Sequence, residues 1–510
     1  MKQQRFKSIE TIGNTRYYLI LVFLFLTLFY LQSAQAENVP PISQKDKVLI
    51  KEAFHLLEHT GDAVWKGWAN ITLPVNFVDE QFEYLVNHPS PSDDFVLIEE
   101  DPYLKMKVYG RPRKTRRAIA AAYPVCGIPS VLLSSQKILE CSSPTWVITL
   151  IHEMFHVYQQ NNGQFEKVRR LKLGSDTDAM WMLNYPFPYS DVSVRASAAQ
   201  MYLSLFRCLQ EKEDGEFSFN AYLDSRKTFK SLLQAKYGTD NNYKYATFQE
   251  WIEGAARYTE KAVLEKAVET SYIPLSEFTA LEDYTPFADI LKKRTADPPK
   301  KMKDFYDDIK KNFNRVSFYE TGALQAEILD IFLKNWKSEY FTHDIWLDDL
   351  LDGAYKKMTS IVGKPAPLFA LKKQNGETVA LEDFIGKKPV LLFFLSAASW
   401  AKPTYLMLPA VNGLSDNFKE YDLAVLGILF MSRDPDIENF ATKQNVSFPL
   451  LLGMAEDHFT LHEDLAGYRI SHVPGVVLID RDGTVVFFSE SYMDKENLYE
   501  AIKTHLKKQG

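Results

Sequence analysis

His152, Glu153 and His156 are the residues of this chain whose types and spacing point most directly to chemistry. Two imidazoles four residues apart on an α-helix project from one face about one turn apart, close enough to hold a single zinc ion. The glutamate between them reaches a water beside that ion and can take its proton, which is the core of a hydrolytic site. A third ligand is needed, and Glu253 is the candidate. Thr247 and Glu250 read as a capping box opening a helix over 247–260, which accounts for Glu250 and leaves Glu253 as the inward carboxylate. Gly254, next to it, lets another backbone approach closely, as a metal site on crossed helices requires.

These residues need rigid elements to hold them. Ser143 as cap, Pro144 in the first turn and a largely apolar run from Trp146 to Val157 predict a buried helix that ends before Asn161-Asn162-Gly163. A second helical stretch covers Lys47 to His59. Its His55 and His59 are also four apart, but Leu56-Leu57-Glu58 lies between them and no glutamate takes the place directly after His55, so they read as a surface or half-buried pair. Phe95–Ile98 and Lys105–Tyr109 read as strands, as does Pro124–Leu133, which would form a cleft wall where an extended peptide could pair. Arg111 to Arg117 is a basic run expected as a solvated loop. Lys301 to about Met358 reads as further helix, including an amphipathic Leu324–Trp336.

With 510 residues, 46% of them hydrophobic and 25% charged, the chain has the size for two or three domains and ordinary globular composition. Its net charge is −7, and setting aside the net +3 of the first 36 residues leaves −10 on the remainder, which argues against nucleic acid or an anionic membrane surface as a partner. Lys2, Arg5, Lys7 and Arg16 precede an apolar stretch from Tyr17 to Leu31, and Ala34-Gln35-Ala36 offers a small-x-small cleavage site. Residues 1–36 are therefore expected to direct export with cleavage after Ala36; an uncleaved membrane anchor is the alternative. In an exported chain Cys126 and Cys141 could form a disulfide just ahead of the histidine helix, with Cys208 as a buried free thiol.

Beyond Gly363 the pattern changes. Val390–Leu395 and Leu423–Phe430 read as strands separated by a helix, and Val476–Ile479 with Thr484–Phe488 as a hairpin across Asp480–Gly483, implying an α/β sheet. No cysteine follows Cys208.

His152-Glu-x-x-His156 followed at long range by Trp251-Ile-Glu253-Gly254-Ala-Ala-Arg-Tyr258 resembles the gluzincin metallopeptidases, especially the branch containing the one-zinc aminopeptidases. Tyr319-Glu-Thr-Gly322-Ala323 resembles that branch's Tyr-Glu-x-Gly-Ala, and the resemblance implies that Tyr319 stabilises the tetrahedral oxyanion. Gln159 and Asn162 stand where a metzincin would carry glycine and histidine. The Gly-x-Met-Glu-Asn motif that holds a substrate amino terminus is absent, which leaves aminopeptidase activity unsupported. Arg257 occupies the place where thermolysin-like relatives keep an acid that steadies a histidine.

The C-terminal region resembles the thioredoxin superfamily, nearest to exported TlpA-type thiol-disulfide reductases and peroxiredoxins. Gly363-Lys-Pro-Ala-Pro matches their opening, and Val473-Pro474 matches their cis-proline. Their Trp-Cys-Pro-Pro-Cys with a distal proline falls on Trp400-Ala401-Lys402-Pro403-Thr404 and Pro409. Ala401 and Thr404 replace both cysteines, and without a thiolate there is no disulfide exchange. Such a domain would bind a protein partner or substrate segment beside Pro474, or pack on the peptidase.

The expected architecture is multidomain: a signal peptide at 1–36, an α+β, mostly helical zincin-like domain at 37–358, and an α/β thioredoxin-like domain at 359–510. The expected function is zinc-dependent hydrolysis of peptides or proteins in the periplasm or outside the cell. His152, His156 and Glu253 would hold Zn2+, with water in the fourth position; Glu153 and Tyr319 would be catalytic. The alternative is a non-catalytic exported scaffold with a relic zincin fold.

Overall fold

A computed structural model describes residues 39–174, 180–210, 215–398, 401–429, 437–454 and 461–506. The expected signal segment and Trp400 lie outside these residues. The chain divides into two compact units, Met1–Met358 and Thr359–Gly510.

The N-terminal unit sets helices against a six-stranded sheet, ordered β3-β4-β2-β1-β6-β5. Its strands are β1 (Val75–Val78), β2 (Phe82–Val86), β3 (Val96–Asp101), β4 (Met106–Pro112), β5 (Ala120–Val125) and β6 (Ile128–Ser134). β1 and β6 pair in parallel, while the other neighbours are antiparallel. The region expected as one strand over Pro124–Leu133 is a hairpin. Cys126 and Gly127 both take left-handed backbone angles, with φ 49° and 78°, as a tight two-residue turn demands.

Helix Ser143–Asn161 packs on the β5–β6 end of the sheet. The Trp146 indole donates to Ser134 O at 2.8 Å, and the Gln160 amide donates to Ala122 O of edge strand β5 at 2.9 Å. Ser142, not Ser143, is the N-cap: its hydroxyl accepts from Thr145 N–H at 3.4 Å. Ser143 is already helical, and its N–H and hydroxyl donate to Asp283, each at 2.7 Å.

Helix Gln44–Val64 packs on the same helix. Its His55 and His59 bond Tyr272 and Thr270, each at 2.9 Å. Helix Asn241–Gln249 continues through a π turn, Glu250–Gly254, into Ala255–Glu269. Thr247 therefore does not open a helix. Its hydroxyl bonds back to the carbonyls of Tyr243 and Lys244, the local alternative open to a mid-helix threonine. Glu250 closes no capping box either, because both its oxygens face the Arg226 guanidinium at 2.7 Å. The helix expected over 324–336 starts earlier, at Ser317, and ends at Phe332; Trp336 turns away to donate to Asp330 at 2.8 Å.

Of the basic run, Arg113 to Arg117 is the loop expected, with Lys114, Arg116 and Arg117 exposed, but its start is anchored. Arg111 lies in β4 and pairs with Glu83 at 2.6 Å and Asp94 at 2.7 Å, and Lys114 pairs with Asp94 at 2.5 Å. Cys126 and Cys141 are free thiols rather than a disulfide; Cys126 donates to the Ser92 hydroxyl at 3.2 Å.

In the C-terminal unit β7 (Ala370–Lys372) and β8 (Thr378–Ala380) pair with each other, while β9 (Val390–Leu395), β10 (Ala424–Leu429), β11 (Leu450–Leu452), β12 (Gly475–Ile479) and β13 (Val485–Ser489) form a sheet of order β11-β10-β9-β12-β13. β9, β10 and β11 are parallel, and β12 and β13 complete it as an antiparallel hairpin. All six residues of β9 are buried, which explains its unbroken apolar sequence. Among the described residues, no helix is long and apolar enough to cross a membrane.

Candidate metal centre

The helix Ser143–Asn161 is apolar on nearly every side, so His152, Glu153 and His156 are carried into the interior with at most 8% of each exposed. Burying them without partners would be costly, and each imidazole has one. His152 Nδ1 faces Glu260 Oε1 at 2.8 Å, and His156 Nδ1 faces Gln159 Oε1 at 2.6 Å. Gln159 donates its amide to Tyr340 Oη at 2.7 Å and to Ile252 O at 3.1 Å, so its Oε1 is the acceptor. These contacts call for a hydrogen on each Nδ1 and direct each Nε2 inward.

Those two Nε2 atoms are 3.1 Å apart, and Glu253 Oε2 stands 3.6 Å from that of His152 and 3.4 Å from that of His156. Without a proton on either Nε2 all three atoms are acceptors, an arrangement that repels unless a cation, a metal ion or a proton, lies among them. A tetrahedral zinc with bonds of about 2.0–2.1 Å separates its ligand atoms by about 3.3–3.4 Å. The three observed distances bracket that value, and these residues form a group whose ligand atoms all lie within 4.8 Å of one another. The donor set therefore fits zinc. Burial disfavours a charged His152, but Glu253 and Glu260 outweigh it and raise its pKa to about 10, so the surroundings favour positive charge at this point.

Glu253 reaches the histidines from the π turn, a local widening that recurs at functional sites. Its other oxygen accepts from Arg315 Nη1 at 3.1 Å. Burial works against its ionisation, yet contact with the two histidines holds its carboxyl well below the usual range. The turn is held against helix Ser317–Phe332: a Cβ on Gly254 would lie 2.4 Å from Gly322 Cα, and one on Gly322 would lie 2.3 Å from Glu250 O. Only glycine at both positions permits this crossing.

Glu153 Oε2 is buried without a hydrogen-bond partner, and burial raises its carboxyl above the ordinary range despite the neighbouring histidines. Both properties suit a group that accepts a proton. Tyr319, on the helix that crosses at Gly322, is 9% exposed, with the Arg315 guanidinium 5.3 Å from its ring centre. Burial and then the Glu253 charge push its phenol up, so it stays a donor at neutral pH.

Sequence reasoning singled out five residues, and the fold brings all five together. It missed Glu260, Gln159 and Arg315. The acid that steadies His152 lies seven residues after Glu253, not four; Arg257 at the fourth position donates to it at 3.1 Å, and Arg294 at 2.7 Å. Positions four and seven share a helix face, so the sequence did carry a signal for Glu260.

In the C-terminal unit, Ala401 and Thr404 are buried at the start of helix Lys402–Asn412, and the Val473–Pro474 peptide is cis. Residues 362–488 match the AhpC/TSA family. The C-terminal unit is thioredoxin-like. Thiol-disulfide oxidoreductase ResA of Bacillus cereus is 28% identical over 155 residues, covering 30% of this chain and 84% of that protein. Peroxiredoxin Bcp of Bacillus subtilis is 27% identical over 157 residues, covering 29% of this chain and 96% of that protein. The thioredoxin domain of a thiol-disulfide oxidoreductase from Bacteroides vulgatus aligns with 22% identity and a TM-score of 0.24, covering 28% of this chain and 97% of that one. The thioredoxin-like unit differs from a thiol-dependent enzyme in one decisive respect, since it contains no cysteine.

Proposed function

We propose that this chain is an exported zinc-dependent peptidase of gluzincin type, carrying a thioredoxin-like unit that recognises protein rather than exchanging disulfides. The observation that carries the reading is the convergence of His152 Nε2, His156 Nε2 and Glu253 Oε2 at 3.1–3.6 Å beside the unpartnered Glu153 Oε2. Zinc, when bound, supplies Lewis acidity toward a peptide carbonyl and acidifies water.

The chain's own residues do the rest. Glu260 and Gln159 fix the imidazole tautomers, and Arg315 holds the outer oxygen of Glu253 so that the inner one points at the histidines. Glu153 takes the proton of the attacking water at Oε2 and delivers it to the leaving amine. Tyr319 donates its hydroxyl to the oxygen on which negative charge develops.

The test is zinc content per chain in the purified protein and in Glu253→Ala, with hydrolysis of an unfolded protein substrate read alongside. One zinc in the parent, lost in the variant, with zinc-dependent cleavage, bears the reading out. A parent that takes up no zinc on reconstitution sinks it, and leaves the non-catalytic scaffold, for which the cysteine-free thioredoxin-like unit is the favouring observation.

A further inference from the structure

Tyr340 follows the short 3-10 turn Trp336–Ser338 and is fully buried. Its ring stacks on the indole of Trp251, with centroids 4.9 Å apart and planes at 16°. The two residues also exchange hydrogen bonds: Trp251 Nε1 donates to Tyr340 O at 3.1 Å, and Tyr340 Oη donates to Trp251 O at 2.6 Å. Trp251 stands in the π turn, two residues before Glu253. The segment after Tyr340 is pinned in turn, since the buried Lys167 Nζ donates to Thr342 O at 2.9 Å and to Ile345 O. Ring, backbone and hydroxyl therefore all fasten Tyr340 to the turn that carries Glu253.

The same hydroxyl faces helix Ser143–Asn161. Gln159 has two N–H groups and one oxygen to place. Its Nε2 donates to Tyr340 Oη at 2.7 Å and to Ile252 O at 3.1 Å, which leaves Oε1 for His156 Nδ1 at 2.6 Å. The hydrogens run one way, from His156 to Gln159, from Gln159 to Tyr340, and from Tyr340 to Trp251 O. Burial holds the Tyr340 phenol well above its ordinary range, so the hydroxyl keeps the proton it donates. Without that hydroxyl, the next acceptor for the second Gln159 N–H is Trp251 O, now 3.5 Å away and itself short of a donor. The amide is then drawn toward the turn and away from His156.

We propose that Tyr340 is a positioning residue for the metal centre. Through Gln159 it fixes the His156 imidazole, and through Trp251 O it fixes the turn that presents Glu253. One phenol on a third segment of chain thus holds two of the three proposed ligands in register with each other. Its consequence for metal rests on the zinc reading.

The test compares the full chain with Tyr340→Phe, Gln159→Met and the double variant. Phenylalanine keeps the ring on Trp251 and removes only the hydroxyl; methionine keeps the length of Gln159 and removes its amide. Titration against a zinc-selective chelator should show Tyr340→Phe binding zinc about tenfold more weakly. The double variant should be no weaker than Gln159→Met, because a residue acting through Gln159 has nothing left to act on. Losses that multiply in the double variant make Tyr340 merely structural and overturn the proposal. If Tyr340→Phe alone is too unstable to measure, rescue by Gln159→Met supports the proposal, since both partners are then apolar, and failure of rescue overturns it. A second readout needs no metal: the His156 Nδ1 hydrogen, identified by its absence in His156→Asn, is followed by NMR of metal-free, 15N-histidine-labelled protein. Tyr340→Phe should speed its exchange with solvent about tenfold. A parent that takes up no zinc, with this exchange accelerated in the variant, overturns the zinc reading and leaves Tyr340 as the residue that orients His156. Zinc uptake by the parent with exchange unchanged in the variant does the reverse.

Discussion

His152 Nδ1 and Glu260 Oε1 lie 2.8 Å apart, and the same carboxylate is clasped by two arginines from different helices. Burial alone would raise the Glu260 pKa, but His152, Arg257 and Arg294 lower it to about 2, so it is anionic at neutral pH. It orients the imidazole and, on the proposed reading, would strengthen it as a zinc ligand. Glu260→Gln should weaken zinc binding about 10–100-fold while leaving the far-UV circular dichroism unchanged. Equilibrium titration against a zinc-selective chelator measures this, and parental affinity in the variant would remove Glu260 from the site.

Glu153→Gln should keep one zinc per chain and lose about 10²–10⁴-fold in kcat, since amide and carboxylate are nearly isosteric but only one accepts a proton. Metal analysis beside peptide turnover separates the two effects. Loss of metal would mean that Glu153 serves as a ligand instead.

Gly254→Ala forces a methyl to 2.4 Å from the Gly322 backbone, where nothing flexible can yield. We expect a loss of about 1–3 kcal/mol in urea unfolding, together with weaker zinc binding, because the Glu253 turn must move. Gly353, in helix Leu347–Thr359, would meet nothing within 4 Å, so Gly353→Ala should be neutral or gain up to about 1 kcal/mol. The pair separates close packing from helix propensity.

Glu52 is fully buried on helix Gln44–Val64, where burial raises its pKa to about 7 despite bonds from Leu275 N–H at 2.9 Å and Tyr272 Oη at 3.0 Å. A folded-state pKa above the ordinary value of 4.5 means that the native state holds this proton after the unfolded chain has released it. Stability from this group therefore falls as pH rises from 4.5 to about 7 and is flat above, a change of about 3 kcal/mol. Glu52→Gln, whose amide oxygen can accept from Leu275 N–H while its NH2 donates to Tyr272 Oη, should flatten that part of the stability curve and be the more stable form at pH 8. Parallel denaturation of parent and variant across this range would expose a parallel pH dependence, which would rule Glu52 out as its source.

The cluster of His152, His156 and Glu253 was legible because histidine, glutamate and glycine stand at spacings that suit a site on crossed helices. The unbroken apolar run Val390–Leu395 marked a central strand for a similarly physical reason. Capping was harder to read. Thr247 looks like a helix start only when the helix beginning at Asn241 goes unseen, and Asn241 carries no strong signal of its own. The β5–β6 hairpin was hidden because cysteine at the first left-handed turn position is unusual. Glu260 was passed over because Arg257, at the position expected for an acid, is that acid's partner.

The turn Glu250–Gly254 sets the angular phase of everything that follows it. Each residue advances an α-helix by about 100°, so removing one residue there would rotate the downstream helix by that amount relative to the part before it. Glu250 could then stay with Arg226 only if Glu253, Arg257 and Glu260 swung away from the histidines together. Register through these five residues, more than the identity of any one of them, ties the buried ion pair of Glu250 to the placement of Glu253 beside the histidines.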